Sequence, residues 1–71
     1  MARIKFKILE QMDKRDMRHI KDLHKETGIS ETVLQGLISG KRQGVRLETL
    51  MRLCDFFKCE IEDLVEIKKE G

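Results

Sequence analysis

Two groups of side chains in this sequence have the chemistry to grip a partner. Glu31, Thr32 and Gln35 lie between Ser30 and Gly40. A glutamine amide can grip the N6 and N7 edge of adenine. A threonine can bond a phosphate or touch a thymine methyl, and a carboxylate can accept from the amino group of cytosine. Lys41, Arg42 and Arg46 follow directly and can neutralise phosphates. Gly36, beside Thr32 and Gln35, costs a helix up to ~1 kcal/mol relative to alanine. Its gain would be close approach of backbone to a groove or partner. The plainer alternatives are an exposed helix face, with Glu31 as a dipole-stabilising first-turn acid, and a solvated basic loop.

Other chemistries lack their residues. His19 and His24 do not share a helical face, and no carboxylate or cysteine completes a metal set. His24 is expected to be a partly buried packing residue. Cys54 and Cys59 fit neither a CxxC motif nor zinc-ligand spacing, and neither has a histidine near in sequence to activate it. Cys54 is expected as an inert core thiol and Cys59 as semi-buried at a helix junction. There is no GxGxxG, no phosphate loop, no HExxH, and no tyrosine or tryptophan to line a substrate pocket. The expectation is no enzyme, no cofactor and no small-molecule ligand. Two cysteines without an apolar leader, and no membrane-spanning run, point to a soluble cytoplasmic protein without membrane contact.

The chain has 71 residues, 39% of them apolar, with Phe6, Phe56 and Phe57 the only aromatics. That allows one domain over residues 1–71, with a core spanning about residues 5–65, and leaves stability marginal. The formal charge of +2 argues little, but its distribution is uneven: net +3 over residues 1–28, +2 over 29–46 and −3 over 47–71. The positive field lies toward the front and middle of the chain.

These residues need helices to position them. Ile4, Phe6 and Ile8 alternate with period 2, but Ile8, Leu9 and Met12 fit an amphipathic helix better, so a first helix is expected from about Lys5 to Lys14. Asp13 to Asp16 reads as a loop whose Asp16 caps a second helix, about Met17 to Thr27. Gly28 closes that helix and Ser30 caps the third, which runs to Gly40. In the fourth helix Leu47, Leu50, Met51, Cys54 and Phe57 share a face. Cys59 or Glu60 opens a last helix carrying Ile61, Leu64 and Val65, and the final KKEG is expected to fray. The second and third helices, Ile20 to Gly40, are too short to bury separate cores. They can pack at a steep angle and offer one helix to the major groove of DNA.

Leu23, Thr27-Gly28-Ile29-Ser30, Leu34, Leu37 and Ser39-Gly40-Lys41 form the first part of a longer pattern. Leu47-Glu48-Thr49-Leu50, Cys54, Phe57, Cys59 and Ile61-Glu62-Asp63-Leu64 complete it. Together they resemble the Cro/lambda-repressor (XRE-like) helix-turn-helix regulators of bacteria and phages, over nearly the whole chain. The resemblance implies an all-α, five-helix repressor-like domain whose third helix, residues 30–39, enters the major groove of an operator. It implies base contacts from Ser30, Glu31, Thr32, Gln35 and Gly36. Phosphate contacts are implied for His19, Lys21, Ser39, Lys41, Arg42 and Gln43, with Arg46 joining them on its charge. Four positions depart from the pattern: His24 replaces the usual alanine between the two helices, Glu31 replaces a neutral or basic residue, and Arg46 and Glu60 replace serine or threonine caps. The expected partner is double-stranded DNA, with homodimerisation through Phe56, Ile61, Val65 and Ile67. The alternative is a protein-interaction module, an antirepressor or antitoxin-like partner, using the same helix-turn-helix surface.

Overall fold

Two periodicities meet at Lys7. Ile4 and Phe6 alternate with charged neighbours, and in the computed structural model, which describes residues 2–69, Ala2–Phe6 is a strand, β1. From Ile8 the phase turns helical, and α1 spans Ile8–Lys14 with Ile8, Gln11 and Met12 buried. The helix expected from Lys5 is therefore shorter, and the period-2 reading of Ile4 and Phe6 is the one that holds. The partner strand, β2, is Val65–Lys69, antiparallel to β1 with Phe6 opposite Val65 and Ile4 opposite Ile67. The domain is thus not strictly all-α: among the described residues it has five helices and a two-stranded ribbon. Lys68 and Lys69, expected to fray, are strand residues, while Glu70 and Gly71 lie outside the described residues. A strand satisfies its backbone only against a partner. Here that partner lies at the far end of the chain, so local pattern alone favours the helix.

Between the strands come α2 (Ile20–Thr27), α3 (Glu31–Ser39), α4 (Leu47–Phe57) and α5 (Ile61–Leu64). Asp16 does not cap α2. It closes α1 in the left-handed conformation, φ 56°, with Asp16 N–H donating to Asp13 O and Met17 N–H to Met12 O. That is a Schellman closure built on aspartate, which tolerates this conformation better than most residues. The cap of α2 is His19, without a side-chain hydrogen bond. Lys58 closes α4 in the same way, φ 52°, with Cys59 N–H on Cys54 O. Glu60 opens α5 through a capping box with Asp63.

Ile8, Leu23, Leu34, Leu37, Leu53 and Leu64 are fully buried, so every helix sends at least one aliphatic side chain into a single core. Phe6 and Phe57 join them, and Leu50 and Cys54 pack against the cluster. The stripe of α4 is therefore Leu50, Leu53, Cys54 and Phe57. Leu47 and Met51, expected in it, are 68% and 62% exposed. Both series keep helical spacing and share three members, so periodicity alone cannot choose between them. Likewise Ile61 is half-exposed whereas Leu64 is wholly buried. The ends of the chain are tied together by Lys7 N–H on Leu64 O at 2.6 Å and by the buried Gln11 amide on Asp63 O at 3.2 Å. Leu53→Ala should cost ~2–5 kcal/mol of unfolding free energy in a urea titration. Met51→Ala should stay within ~0.5 kcal/mol. Equal losses would contradict this assignment of the core face.

Candidate nucleic-acid interface

The reversal between α2 and α3 is completed within three residues. Gly28 adopts φ 76°, a conformation cheap only for glycine, and its N–H bonds His24 O at 2.8 Å. Thr27 Oγ1 donates to Leu23 O at 2.7 Å and accepts from Ile29 N–H at 3.2 Å. His24 is half-buried as expected, and its Nδ1 meets Ile29 O at 2.7 Å. A carbonyl oxygen can only accept, so this bond requires the proton on Nδ1. The imidazole thus bridges the turn, doing by hydrogen bonding what a small residue does by close packing. Ser30 Oγ then accepts from Val33 N–H at 3.2 Å, the expected cap.

Leu34 and Leu37 anchor α3 in the core, which turns Glu31, Thr32, Gln35 and Ser39 outward as one exposed strip. Gly36 borders this strip. A Cβ there would lie 3.1 Å from Arg42 Cβ and 3.5 Å from Arg42 Nε, and Gly36 O accepts from Arg42 N–H at 3.0 Å. The close approach anticipated at Gly36 is made by the chain's own Arg42, whose side chain lies along α3 in the space a larger residue would take. Arg42 and Arg46 line one concavity together with Ser30, Val33, Thr49 and Arg52. Three arginines therefore gather beside the first turn of the helix. Arg52 carries no signal in the local sequence beyond its spacing from Glu48. Its Nη2 pairs with Glu48 at 2.9 Å and its Nη1 reaches Thr27 O at 3.5 Å, over the turn.

The other expected phosphate contacts divide. Lys41 is exposed just past α3, and His19 and Lys21 are exposed at the start of α2, outside that concavity. Ser39 Oγ is engaged locally, donating to Gly36 O at 3.3 Å and accepting from Lys41 N–H at 3.4 Å. Gln43 is committed elsewhere. Its Oε1 accepts from Ile4 N–H at 2.8 Å, and its Nε2 donates to Ile4 O at 3.1 Å and Gly40 O at 3.0 Å. Both amide hydrogens are used, so this side chain braces β1 against the loop after α3 and has none left for a phosphate. Cys54 and Cys59 are both half-buried free thiols. Burial, and then the neighbouring Cys59, push the Cys54 thiol up, which keeps it neutral and unreactive near pH 7.

The sequence pattern of the Cro/C1-type HTH DNA-binding domain matches residues 7–70. The chain belongs to this family. Among solved structures, this Cro/C1-type chain is similar to the transcriptional regulator VanUg in its crystal form II, at 27% sequence identity and TM-score 0.78. The similarity covers 97% of this chain and 89% of that one. Curated protein sequences give no match. Membership of the Cro/C1-type family makes this a DNA-binding domain of the kind found in transcription regulators, with double-stranded DNA as the implied partner. Its matched residues begin at Lys7, after β1. Among the described residues no helix is long and apolar enough to cross a membrane.

Because Gln43 holds both polar groups of Ile4, Gln43→Ala should lower the unfolding free energy by ~1–3 kcal/mol. A urea titration with an unchanged midpoint would show that the brace contributes nothing.

Proposed function

We propose that this protein is a sequence-specific, repressor-like transcriptional regulator that lays α3 in the major groove of an operator and acts by excluding or recruiting polymerase. The observation that carries this reading is the exposed strip Glu31, Thr32, Gln35 and Ser39, bordered by Arg42 and Arg46 and held on a hydrogen-bonded turn. In this reading Gln35 grips adenine through its amide, while Ser30 and Thr32 supply hydroxyl contacts at the helix start. Glu31 accepts from cytosine N4, or discriminates against sites that bring phosphate close. Lys41, Arg42 and Arg46 neutralise phosphates, with His19, Lys21 and the Ser39 hydroxyl at the periphery. Gly36 serves the interface by letting Arg42 lie close along the helix.

One short helix reads only a few base pairs, so two copies on a paired half-site are part of the proposal. Ile61 and Ile67 are exposed and Phe56 and Val65 half-buried, which leaves an apolar surface on α4, α5 and β2 for that pairing. One chain per operator in light scattering of the complex would remove the pairing.

Sites selected from random duplexes supply the probe, and anisotropy across a salt series supplies the readout. Gln35→Ala should lose ~1–3 kcal/mol of discrimination at one base pair. Lys41→Gln should weaken binding to all duplexes alike and lower the slope of log K against log salt by ~1. Failure to bind any duplex at low salt would overturn the proposal in favour of a protein partner.

A further inference from the structure

The exposed strip of α3 has two flanks. At ~100° per residue, Gly36 and Ile38 stand on opposite sides of Gln35. The Gly36 flank is the arginine-lined concavity. The Ile38 flank is the β1–β2 ribbon, where Ile38, Ser39 and Gly40 share a second concavity with Arg3, Lys5 and Lys68. Arg3 Nη2 donates to Gly40 O at 3.4 Å, which places its guanidinium against the end of α3.

The register makes the charge on this ribbon unusual. Phe6 faces the core and Ile4 is half-buried beside it, so Arg3, Lys5, Glu66 and Lys68 occupy the opposite face. Arg3 stands directly across from Lys68, a like-charge pairing that costs stability, whereas Lys5 stands across from Glu66. Lys5 also has Glu10 at 3.9 Å. Among the described residues, neither Arg3 nor Lys68 is in an ion pair. The chain thus keeps two mutually repelling cations at the mouth of a concavity beside its recognition helix. An anion bound between them would relieve that repulsion.

We propose that Arg3 and Lys68 form a second phosphate-binding site, for the DNA strand opposite the one held by Arg42 and Arg46. The proposal rests on the reading of α3 as a major-groove helix. A groove ~12 Å wide receiving a helix ~10–12 Å across brings a phosphate backbone close to each side of that helix. The arginine wall serves one border and the ribbon the other. Arg3 precedes the residues that match the Cro/C1-type pattern, and Lys68 falls within them. The ligand of the site is a phosphodiester, bound without regard to base sequence.

The test is anisotropy with a mixed-sequence duplex over a salt series, paired with thermal melts of the free proteins. Arg3→Gln with Lys68→Gln should lower the slope of log K against log salt by ~2, about one unit for each phosphate no longer neutralised. Lys68→Glu should weaken binding while raising the melting temperature, because it turns the repelling pair into an attracting one. A merely structural role would move both in the same direction, and a parallel fall in melting temperature and affinity would overturn the proposal. So would wild-type binding with a steep slope that the double variant leaves unchanged, and this result would leave the α3 reading standing. A wild type that binds no duplex at all would overturn both.

Discussion

The whole surface depends on a chain reversal in which both backbone polar groups of the buried Ile29 find partners within the chain. Between Thr27 and Ser30 the end of one helix and the start of the next must meet at an angle set by Leu23, Leu34 and Leu37 in the core. Water cannot serve groups buried in that corner, so each needs a partner from the chain. Gly28 supplies the left-handed bend, Thr27 Oγ1 satisfies Ile29 N–H, His24 Nδ1–H satisfies Ile29 O, and Ser30 caps α3. The turn closed this way orients α3 against α2 and turns its strip of polar side chains outward.

The ribbon is the second constraint. A chain of 71 residues buries little apolar surface, and the ribbon joins its first described residues to its last. Gln43 extends this function, since its amide meets the N–H and C=O of Ile4 much as a neighbouring strand would. The loop after α3 is thereby fixed to β1 on one side, while Arg42 fixes it to Gly36 on the other. Loop, ribbon and α3 are thus joined to one another by hydrogen bonds and close packing.

Much of this was legible in the sequence. The glycines at 28 and 40, the serine cap at 30 and the aliphatic spacing between them specify local geometry, and local geometry is what pattern reports. The ribbon was not legible as such, because Ile4 and Phe6 become a strand only through Val65 and Ile67 at the other end of the chain. Asp16 was missed as a helix closure because it takes a conformation usually marked by glycine, and for the same reason the left-handed form of Lys58 left no mark in the sequence. In α4 two overlapping apolar series share Leu50, Cys54 and Phe57, and only packing selects Leu53 over Met51. Side-chain type marked Lys41, Arg42 and Arg46 as candidate phosphate contacts. It could not show that Gln43 is bonded internally, that Gly36 accommodates Arg42, or that Arg3 reaches Gly40.

The central claim is that the outward strip of α3 and its basic borders form the surface that meets DNA. Amide chemical shifts of the labelled protein, followed while duplex DNA is added, test it most directly. The largest changes are expected on residues 30–36 and on the loop 41–46, with smaller ones at Arg3 and Lys68. Changes confined to α4 and α5, with residues 30–36 unmoved at saturation, would contradict it.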